Sequence, residues 1–506
     1  MYPNDDGADL AYLSATEARR LFDARELSPV ELMRVVIDRA EQTEPVVNAF
    51  TEQLYDEALQ QARHAEDRFL GKGGLTPRPL EGIPVATKEK HAIAGRSLTE
   101  GSLVNVGNTA TENAPVIDRI LDAGGIIHAR TATPEFSIAS FTHSRLWGVT
   151  RNPWNPDFTP GGSSGGAGAS LAAGTALLAS ASDIGGSTRI PAAFTGTVGY
   201  KAPYGRIPGV APLSADHYRG DGPMARTVDD CITFANVLAG PDPRDHVSLR
   251  PKLVLPAEYD AVAGMRIALC LRLGAYDVHP EIEANTRAVA RALTDVGAIV
   301  EEIELPWTKD DLLISAAAHF STIFGALVRE IEAEHRDRMS PYAAAFADTM
   351  AIAREQVTYL DGLRVETRLQ RDLAEAMAPF DALICPTTAV PGLPAGDDLL
   401  GRLVVNGEDH GEPLWAAMTL PFNISNRCPV LNVPSGHSSW GLPTGVQIVG
   451  HTFDDPTVFR VGKTLEQLRP WSYTPNRRPT IQPRRSCSRP LVDRRPLLTR
   501  APDVRL

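Results

Sequence analysis

The sequence predicts an α/β fold in which helices cover both faces of a mixed central β-sheet. Short apolar runs alternate with segments of helical periodicity along the 506 residues, a pattern typical of layered α/β domains. The apolar runs that we interpret as strands are residues 83–87, 125–128, 265–271, 298–305 and 382–385. A chain of this length can also bury a substantial core.

Two helices open the chain, and each is predicted to begin with a capping box. The two motifs are Ser14-x-x-Glu17 and Ser28-Pro29-x-Glu31. In such a motif the serine hydroxyl and the acidic side chain bond to backbone amides of the first turn, and proline suits the first helical position. We expect the second helix to end just before Pro45. A buried helix of small residues is predicted over residues 171–180.

Two glycine-flanked serine motifs, 24 residues apart, are the most informative local feature. They read Thr159-Pro160-Gly161-Gly162-Ser163-Ser164-Gly165-Gly166 and Asp183-Ile184-Gly185-Gly186-Ser187-Thr188-Arg189-Ile190-Pro191. Residues 161–205 hold 11 of the 41 glycines, and glycine lets the backbone approach a ligand closely. Taken alone, the first motif is also typical of a flexible linker. A phosphate-binding loop is disfavoured because no Gly-Lys-Ser/Thr follows.

A base is needed to activate a serine hydroxyl, and the sequence points to a lysine. No histidine lies between His143 and His217, and only 7 of the 50 basic residues are lysines. Lys88 directly follows the apolar run 83–87, and ligands gather at the carboxyl ends of strands in open α/β sheets. A buried lysine can lose its charge and act as a base, which arginine cannot do.

Lys88 and the two serine motifs together resemble the amidase signature family. The resemblance continues in Val198-Gly199-Tyr200-Lys201-Ala202-Pro203-Tyr204-Gly205-Arg206, Gly222-Pro223-Met224-Ala225-Arg226-Thr227-Val228, Pro386-Thr387, Pro421-Phe422-Asn423 and Gly441-Leu442-Pro443-Thr444-Gly445-Val446-Gln447. It covers roughly residues 10 to 470, and the order and spacing of the segments are highly specific.

The resemblance implies a fold and a set of catalytic roles. It implies the amidase signature fold, with Ser187 as the nucleophile that attacks an amide carbonyl and Lys88 as the general base. Ser163, after a cis peptide bond to Gly162, would relay the proton between them, and Ser164 would add a hydrogen bond. Backbone amides of the residues that lead to the nucleophile would form the oxyanion hole. These residues are Ile184, Gly185, Gly186 and Ser187. No metal and no cofactor are implied.

Several neighbouring residues are expected to support the site. We expect Asp183 to order its loop through hydrogen bonds. Arg189 fits either a bidentate clamp for a substrate carboxylate or a structural salt bridge, and we favour the salt bridge. Glu89-Lys90 replaces the Asp-Asn that usually follows the family's lysine. A second lysine would favour neutral Lys88 and the glutamate would oppose this, so the net effect on the pKa stays open. Asn426-Arg427-Cys428-Pro429 replaces a common Gly-x-Pro.

The domain prediction follows from where the family-like segments lie. They run through the chain without a low-complexity linker, so we expect one amidase signature domain over residues 1–475. Residues 310–378 resemble the family least and have a helical pattern, which fits either plain core packing or a cap over the substrate pocket. Residues 476–506 contain nine arginines and no lysine and are predicted to be a disordered Arg/Pro-rich tail.

Composition limits the partners and the compartment. The net charge of −12 and the absence of a basic stripe in the body argue against nucleic-acid binding. We find no apolar stretch long enough for a membrane span and no signal peptide. Five scattered cysteines lack metal-ligand or redox spacing and indicate reduced thiols in a cytoplasm. A homodimer is left open.

The functional prediction is an amidase that hydrolyses carboxylic amides through an acyl-enzyme on Ser187. We expect broad specificity for apolar or aryl amides, with ester and carbamate (urethane) cleavage as side activities because all three share a tetrahedral intermediate. The alternative is the glutamine-hydrolysing component of a tRNA-dependent amidotransferase complex. A non-catalytic binding module is disfavoured, since every position of the triad is filled.

Overall fold

A computed structural model describes residues 8–405, 408–409, 413–471, 473, 475–481 and 492–493. Its centre is an eleven-stranded mixed sheet, which confirms the predicted fold class. The strands of the chain are β1 Phe50–Gln53, β2 Pro84–Lys88, β3 Ile126–Thr131, β4 His143–Ser144, β5 Gly148–Val149, β6 Leu178–Asp183, β7 Val198–Lys201, β8 Gly220–Ala225, β9 Arg266–Leu269, β10 Ile299–Glu302, β11 Ala382–Pro386, β12 Arg402–Val405, β13 Glu408–Asp409, β14 Val430–His437, β15 Pro443–Gly450 and β16 Val492–Asp493.

Helices connect most of these strands and supply the outer layers. They are α1 Ala8–Ala11, α2 Ala15–Ala24, α3 Pro29–Val47, α4 Tyr55–Phe69, α5 Pro115–Asp122, α6 Gly165–Ala173, α7 Arg189–Thr195, α8 Val228–Leu238, α9 Pro280–Asp295, α10 Lys309–Thr322, α11 Phe324–His335, α12 Pro341–Gln356, α13 Tyr359–Met377, α14 Pro421–Ile424 and α15 Asp455–Leu468. The Ser28 capping box at the start of α3 forms as predicted.

The strand order of the large sheet is β1-β3-β2-β6-β8-β7-β14-β15-β11-β9-β10. Strands β3, β2 and β6 are mutually parallel, as are β11, β9 and β10, whereas the other neighbouring pairs are antiparallel. All five predicted strands therefore lie in this sheet. Parallel pairing places the carboxyl ends of β2 and β6 at the same edge, so Lys88 lies close to the segment that follows Asp183.

Consecutive residues of the central strands pack on opposite faces of the sheet. Val85 joins an apolar cluster that includes Ile117 of α5, whereas the next residue, Ala86, joins a cluster that includes Ala169 of α6. This alternation is what a strand with both faces covered requires, because its side chains point up and down in turn. Helices thus cover the sheet on both sides.

Two local predictions were wrong. The small-residue helix expected over residues 171–180 is split, because Gly174 ends α6 in the left-handed conformation at φ +75° and residues from Leu178 onward form β6. Helix α3 does not stop before Pro45 but continues to Val47 and ends at Asn48, which has φ +52°.

Residues 310–378 form four helices, α10 to α13, in agreement with the predicted helical pattern. Within the described residues, no single helix is long and apolar enough to cross a membrane. The bent pair Lys309–Thr322 and Phe324–Arg338, broken by 52°, would pass on length and composition alone.

The boundary predicted at residue 475 is too early. Arg478 forms an ion pair with Asp9 and stacks over the ring of Tyr12, and Ile481 packs against an apolar cluster. The body therefore extends at least to residue 481. Most of the predicted disordered tail, 476–506, lies outside the described residues.

Candidate active site

Lys88 ends strand β2 with its side chain fully buried. Its Nζ lies 2.7 Å from Ser163 Oγ, 3.0 Å from Ser164 Oγ and 3.1 Å from Ser182 Oγ. The Lys88 backbone amide donates to Ser180 Oγ at 3.1 Å. The amine is thus surrounded by hydroxyl groups, and none of its three contacts is with a carboxylate.

The first serine motif follows a tightly packed turn. The peptide bond between Gly162 and Ser163 is cis. A Cβ at Gly162 would overlap the carbonyl oxygens of Phe141 and Ala139, so only glycine fits at this position. Helix α6 begins two residues after Ser163, and the Ser163 hydroxyl contacts Lys88 Nζ.

Ser187 lies in the turn between β6 and α7, close to the first motif. Its carbonyl oxygen accepts a hydrogen bond of 3.1 Å from the Ser164 amide, which holds the two motifs together. The exposed fraction of Ser187 is 8%, against 1% for Ser163 and 0% for Lys88. Ser187 is therefore the member of the predicted triad that a substrate reaches most easily. The proton relay from Ser187 to Ser163 stays a prediction.

Arg189 binds the loop that carries Ser187 and uses every N–H that it has. Nε and Nη2 donate to the two carboxylate oxygens of Asp183 at 3.0 and 2.9 Å. Nη1 donates to the Thr419 carbonyl and to Gln447 Oε1, and Nη2 also donates to Asn423 Oδ1. With five hydrogen bonds in a fully buried position, Arg189 has no donor left for a substrate carboxylate.

The charge of Asp183 is strongly stabilised in this arrangement. Burial alone would raise the pKa of Asp183, but the Arg189 charge, the Arg189 hydrogen bonds and the Asn423 amide outweigh it and lower the pKa to about 2. Asp183 also accepts from the backbone amides of Gly186 and Thr188 at 2.8 and 3.2 Å. It therefore acts as a fixed anchor for the loop.

The amides of this loop divide into two groups. Gly186 N–H already donates to Asp183 Oδ1, which argues against its predicted place in the oxyanion hole. For the amides of Ile184, Gly185 and Ser187, the described residues provide no hydrogen-bond acceptor. A Cβ built on Gly185 would meet nothing within 4 Å, so this stretch of backbone borders open space. We narrow the predicted oxyanion hole to these three amides.

The surroundings of Lys88 favour its neutral form. Burial lowers the pKa of Lys88 well below its ordinary value, and the positive charges of Lys90 and Arg219 act in the same direction. Asp221 and Asp183 oppose them without reversing the sign. A neutral amine has a free lone pair and can accept a proton from a serine hydroxyl, which is the requirement for a lysine base.

The effect of Glu89-Lys90 on the pKa of Lys88, which the sequence left open, follows from the contacts of Glu89 and from the charge of Lys90. Glu89 Oε1 accepts from the amide and the hydroxyl of Thr99 at 2.6 and 3.0 Å, so its charge is directed away from the site. Burial and Arg219 lower the pKa of Lys90 to about 8, and Lys90 therefore keeps most of its charge at neutral pH. The net effect is a lower pKa for Lys88.

This arrangement leads to a prediction for the pH profile of the activity. Replacing Lys90 with glutamine removes a like charge, so the pKa of Lys88 rises. The acidic limb of kcat/KM against pH, which reports the loss of a proton from the base, should move to higher pH. Glu89→Gln is the matched control and should leave the limb in place. An equal displacement in both variants would contradict this assignment.

Sequence reasoning missed a second group of residues behind Lys88. Ser180 and Ser182 project from the same face of β6 toward Lys88. His91 Nδ1 lies 2.9 Å from Ser180 Oγ, and its Nε2 lies 3.3 Å from Asp221 Oδ1 on strand β8. The only available signal was the alternation of Ser180 and Ser182, and Ser180 is the last residue of the run that we interpreted as a helix.

Asn426, in the segment that replaces the family's common Gly-x-Pro, also has a structural role. Asn426 Oδ1 accepts from the buried Lys201 Nζ at 2.5 Å, and its Nδ2 donates to the His217 carbonyl. Lys201 Nζ donates as well to the Cys428 carbonyl at 2.9 Å. Burial and the nearby Arg189 lower the pKa of Lys201 to about 7. The side chain of Asn426 thus supplies a second hydrogen-bond partner for a buried amine.

Within the described residues, one group of side chains has the spacing to hold a metal ion, and it lies outside the triad. It consists of Asp216, His217 and His319. The groups around Lys88 are hydroxyls, which are weak metal ligands unless deprotonated.

Comparison with known proteins is consistent with this geometry. The family model described as Amidase matches residues 31–459. The chain therefore belongs to the amidase signature family and is a hydrolase of that family.

Two kinds of relative stand out. The chain is 32% identical over 488 residues to the A component of the glutamyl-tRNA(Gln) amidotransferase of Chloroflexus aurantiacus, covering 92% of this chain and 98% of that protein. Among solved structures, a bacterial aryl acylamidase of the amidase signature family superposes with a TM-score of 0.84 at 30% identity, over 91% and 97% of the two chains. A 6-aminohexanoate cyclic dimer hydrolase gives a TM-score of 0.80 at 26% identity, over 93% and 99%.

Proposed function

We propose that this protein is an amidase for apolar or aryl carboxylic amides that forms an acyl-enzyme on Ser187. The observation that carries the proposal is the buried Lys88 amine next to a turn that presents Ser187. This amine lies 2.7 Å from Ser163 Oγ and has no carboxylate contact among the described residues. A nucleophile, a relay and a base in this order form a Ser-Lys variant of the general nucleophile–base scheme.

In the proposed reaction the protons move along one path in both directions. Ser187 Oγ attacks the carbonyl carbon while its proton passes to Ser163 Oγ, and the Ser163 proton passes to Lys88 Nζ. The amides of Ile184, Gly185 and Ser187 stabilise the oxyanion of the tetrahedral intermediate. As the C–N bond breaks, Lys88 returns a proton through Ser163 to the leaving amine. Water then cleaves the acyl-enzyme by the same relay and restores Ser187.

The preference for apolar substrates rests on what surrounds the nucleophile loop. Ile184, three residues before Ser187, is partly exposed and packs against the same apolar cluster as Phe320 and Phe324 of the predicted cap. Arg189 is occupied by protein acceptors and offers nothing to a charged substrate. The likeness to the aryl acylamidase supports the same preference. Esters and carbamates pass through the same intermediate, and we propose them as side substrates.

The second candidate function is glutamine hydrolysis in an amidotransferase complex, which is favoured by the relatives that are components of such enzymes. The two functions make different demands on the pocket. Glutamine carries an ammonium and a carboxylate that need charged partners, whereas an anilide needs an apolar surface. They also differ in whether the isolated chain is active.

A substrate panel on the isolated chain tests the proposal. We expect kcat/KM for an aryl anilide to exceed that for glutamine by at least about a hundredfold, the scale that separates a matched pocket from an unmatched polar one. A nitrophenyl ester and an aryl carbamate complete the panel, and Ser187→Ala provides the background for each substrate. Dominant glutamine turnover, or activity that requires added partner proteins of an amidotransferase, would overturn the proposal.

A further inference from the structure

We propose that Asp216, His217 and His319 bind a first-row divalent cation, with Zn²⁺ as the best match. The site lies where α10 of the predicted cap (α10 to α13) meets the segment before β8. Three side chains supply two imidazoles and a carboxylate, and their ligand atoms all lie within 4.8 Å of one another. Imidazole with carboxylate suits zinc and its neighbours, whereas Ca²⁺ and Mg²⁺ prefer oxygen ligands throughout. Asp216 and His319 are 103 residues apart in the sequence, so the site does not form a short sequence motif.

The first argument is an incomplete set of hydrogen bonds in a buried place. His319 Nε2 lies 2.7 Å from Asp216 Oδ1, and the exposed fractions of the two residues are 0% and 2%. Asp216 Oδ2, which belongs to the same carboxylate, has no hydrogen-bond partner among the described residues. A buried carboxylate oxygen without a donor is costly, and a cation at this position would satisfy it.

The second argument is that the neighbouring groups orient the imidazoles. Glu366 Oε2 lies 3.2 Å from His217 Nε2, a carboxylate–histidine contact of the kind that fixes metal-binding rings. The ring of Tyr218 stacks on His319 at 3.5 Å with an interplanar angle of 5°. Tyr218 Oη in turn donates to Glu366 Oε1 at 2.6 Å. Both imidazoles therefore have limited freedom to rotate.

The geometry requires only small movements to accept zinc. Ligand atoms of a tetrahedral zinc site lie about 3.4 Å apart, given metal–ligand distances of about 2.1 Å. The distance between Asp216 Oδ1 and His319 Nε2 would increase by less than about 1 Å. The largest distance between two ligand atoms of the group would decrease by somewhat more. His217, with 33% of its side chain exposed, gives the ion a route from solvent. Water can fill the fourth position.

The proposed role of the ion is to fasten the cap to the sheet. His319 belongs to α10, whereas Asp216 and His217 precede β8. The adjacent Tyr218 carbonyl accepts from Asn423 Nδ2, which also donates to Asp183 Oδ1. The site is therefore connected to the nucleophile loop through Asn423 but is separate from the triad. It does not depend on the proposed function, and Ser187→Ala should bind the ion as the unmodified chain does.

Zinc titration of the full chain tests this proposal. After treatment with a chelator, the chain should take up about one Zn²⁺ and hold it against a chromophoric competitor, and Asp216→Asn and His319→Gln should each weaken binding by at least about a hundredfold. His143→Gln is the matched control, because His143 Nε2 also lies 2.7 Å from an aspartate, Asp398, but belongs to no group with metal-binding spacing among the described residues. This control should bind zinc normally.

A second measurement keeps the test decisive if a variant fails to fold. Co²⁺ added to the unmodified chain should give the visible bands of a nitrogen- and oxygen-ligated ion without a thiolate charge-transfer band. Uptake below about a tenth of an equivalent, binding that survives in both folded variants, or a thiolate band that assigns the metal to cysteines would each overturn the proposal.

Discussion

Replacing Ser187 with alanine is expected to lower kcat/KM for an anilide by about a millionfold while leaving the fold intact. This is the scale observed when the nucleophile of a serine hydrolase is removed and only binding and oxyanion contacts remain. Ser187 is 8% exposed, and the loss of its single hydroxyl creates almost no cavity, so we expect the melting temperature to stay within a few degrees. Single-turnover kinetics with a fluorogenic anilide would measure the residual rate.

Ser435→Ala is the matched control for this substitution. Ser435 is also buried, but its hydroxyl bonds to Thr444 between strands β14 and β15, outside the site. Its activity should equal that of the unmodified chain. A fluorophosphonate should add its mass to the chain and to Ser435→Ala but not to Ser187→Ala. Labelling or full turnover by Ser187→Ala would mean that another group is the nucleophile.

Replacing Lys88 with methionine is expected to separate amides from esters. Methionine keeps an unbranched stem of similar length but has no amine to accept or return a proton. Hydrolysis of an anilide should fall by about 10⁴-fold or more, because its leaving amine needs the proton that Lys88 delivers. Hydrolysis of a nitrophenyl ester should fall much less, since its leaving group departs as the anion. Parallel kcat/KM measurements on the two substrates would show the difference.

Lys201→Met controls for the burial of methionine in place of a buried lysine. Lys201 contacts Asn426 and the Cys428 carbonyl and touches no catalytic hydroxyl. We expect this variant to melt at a lower temperature but to keep the ratio of anilide to ester activity. If Lys88→Met lost both activities in equal proportion, Lys88 would be a positioning residue and the proposed proton path would be wrong.

The proposed catalytic residues could be singled out from the sequence because of their local composition, whereas their roles rest on the family resemblance. Ser163 and Ser187 are flanked by glycines, and Lys88 follows a clear apolar strand. Selecting the two serines and the lysine as candidates did not require knowledge of which strands are neighbours in the sheet. The role of Arg189 could also be anticipated, although its partners at residues 419, 423 and 447 come from distant segments.

The residues behind Lys88 could not be predicted because they depend on strand order. Ser180 reaches Lys88 only because β6 pairs with β2, and Asp221 reaches His91 only because β8 pairs with β6. The run that contains Ser180 was also assigned to a helix, since its small residues lack a strong preference for either structure. Gly174 was the signal for a break, but glycine also occurs within helices of closely packed proteins.

The five hydrogen bonds of Arg189 have a consequence for how this enzyme can diversify. They join the turn before the nucleophile to β15, α14 and the segment preceding α14, so the reactive part is a rigid, pre-assembled unit. If α10 to α13 act as the predicted cap, exchanges of their residues would accommodate new substrates without changing the chemistry. The proposed amidase would then combine a fixed catalytic centre with a replaceable substrate-binding segment.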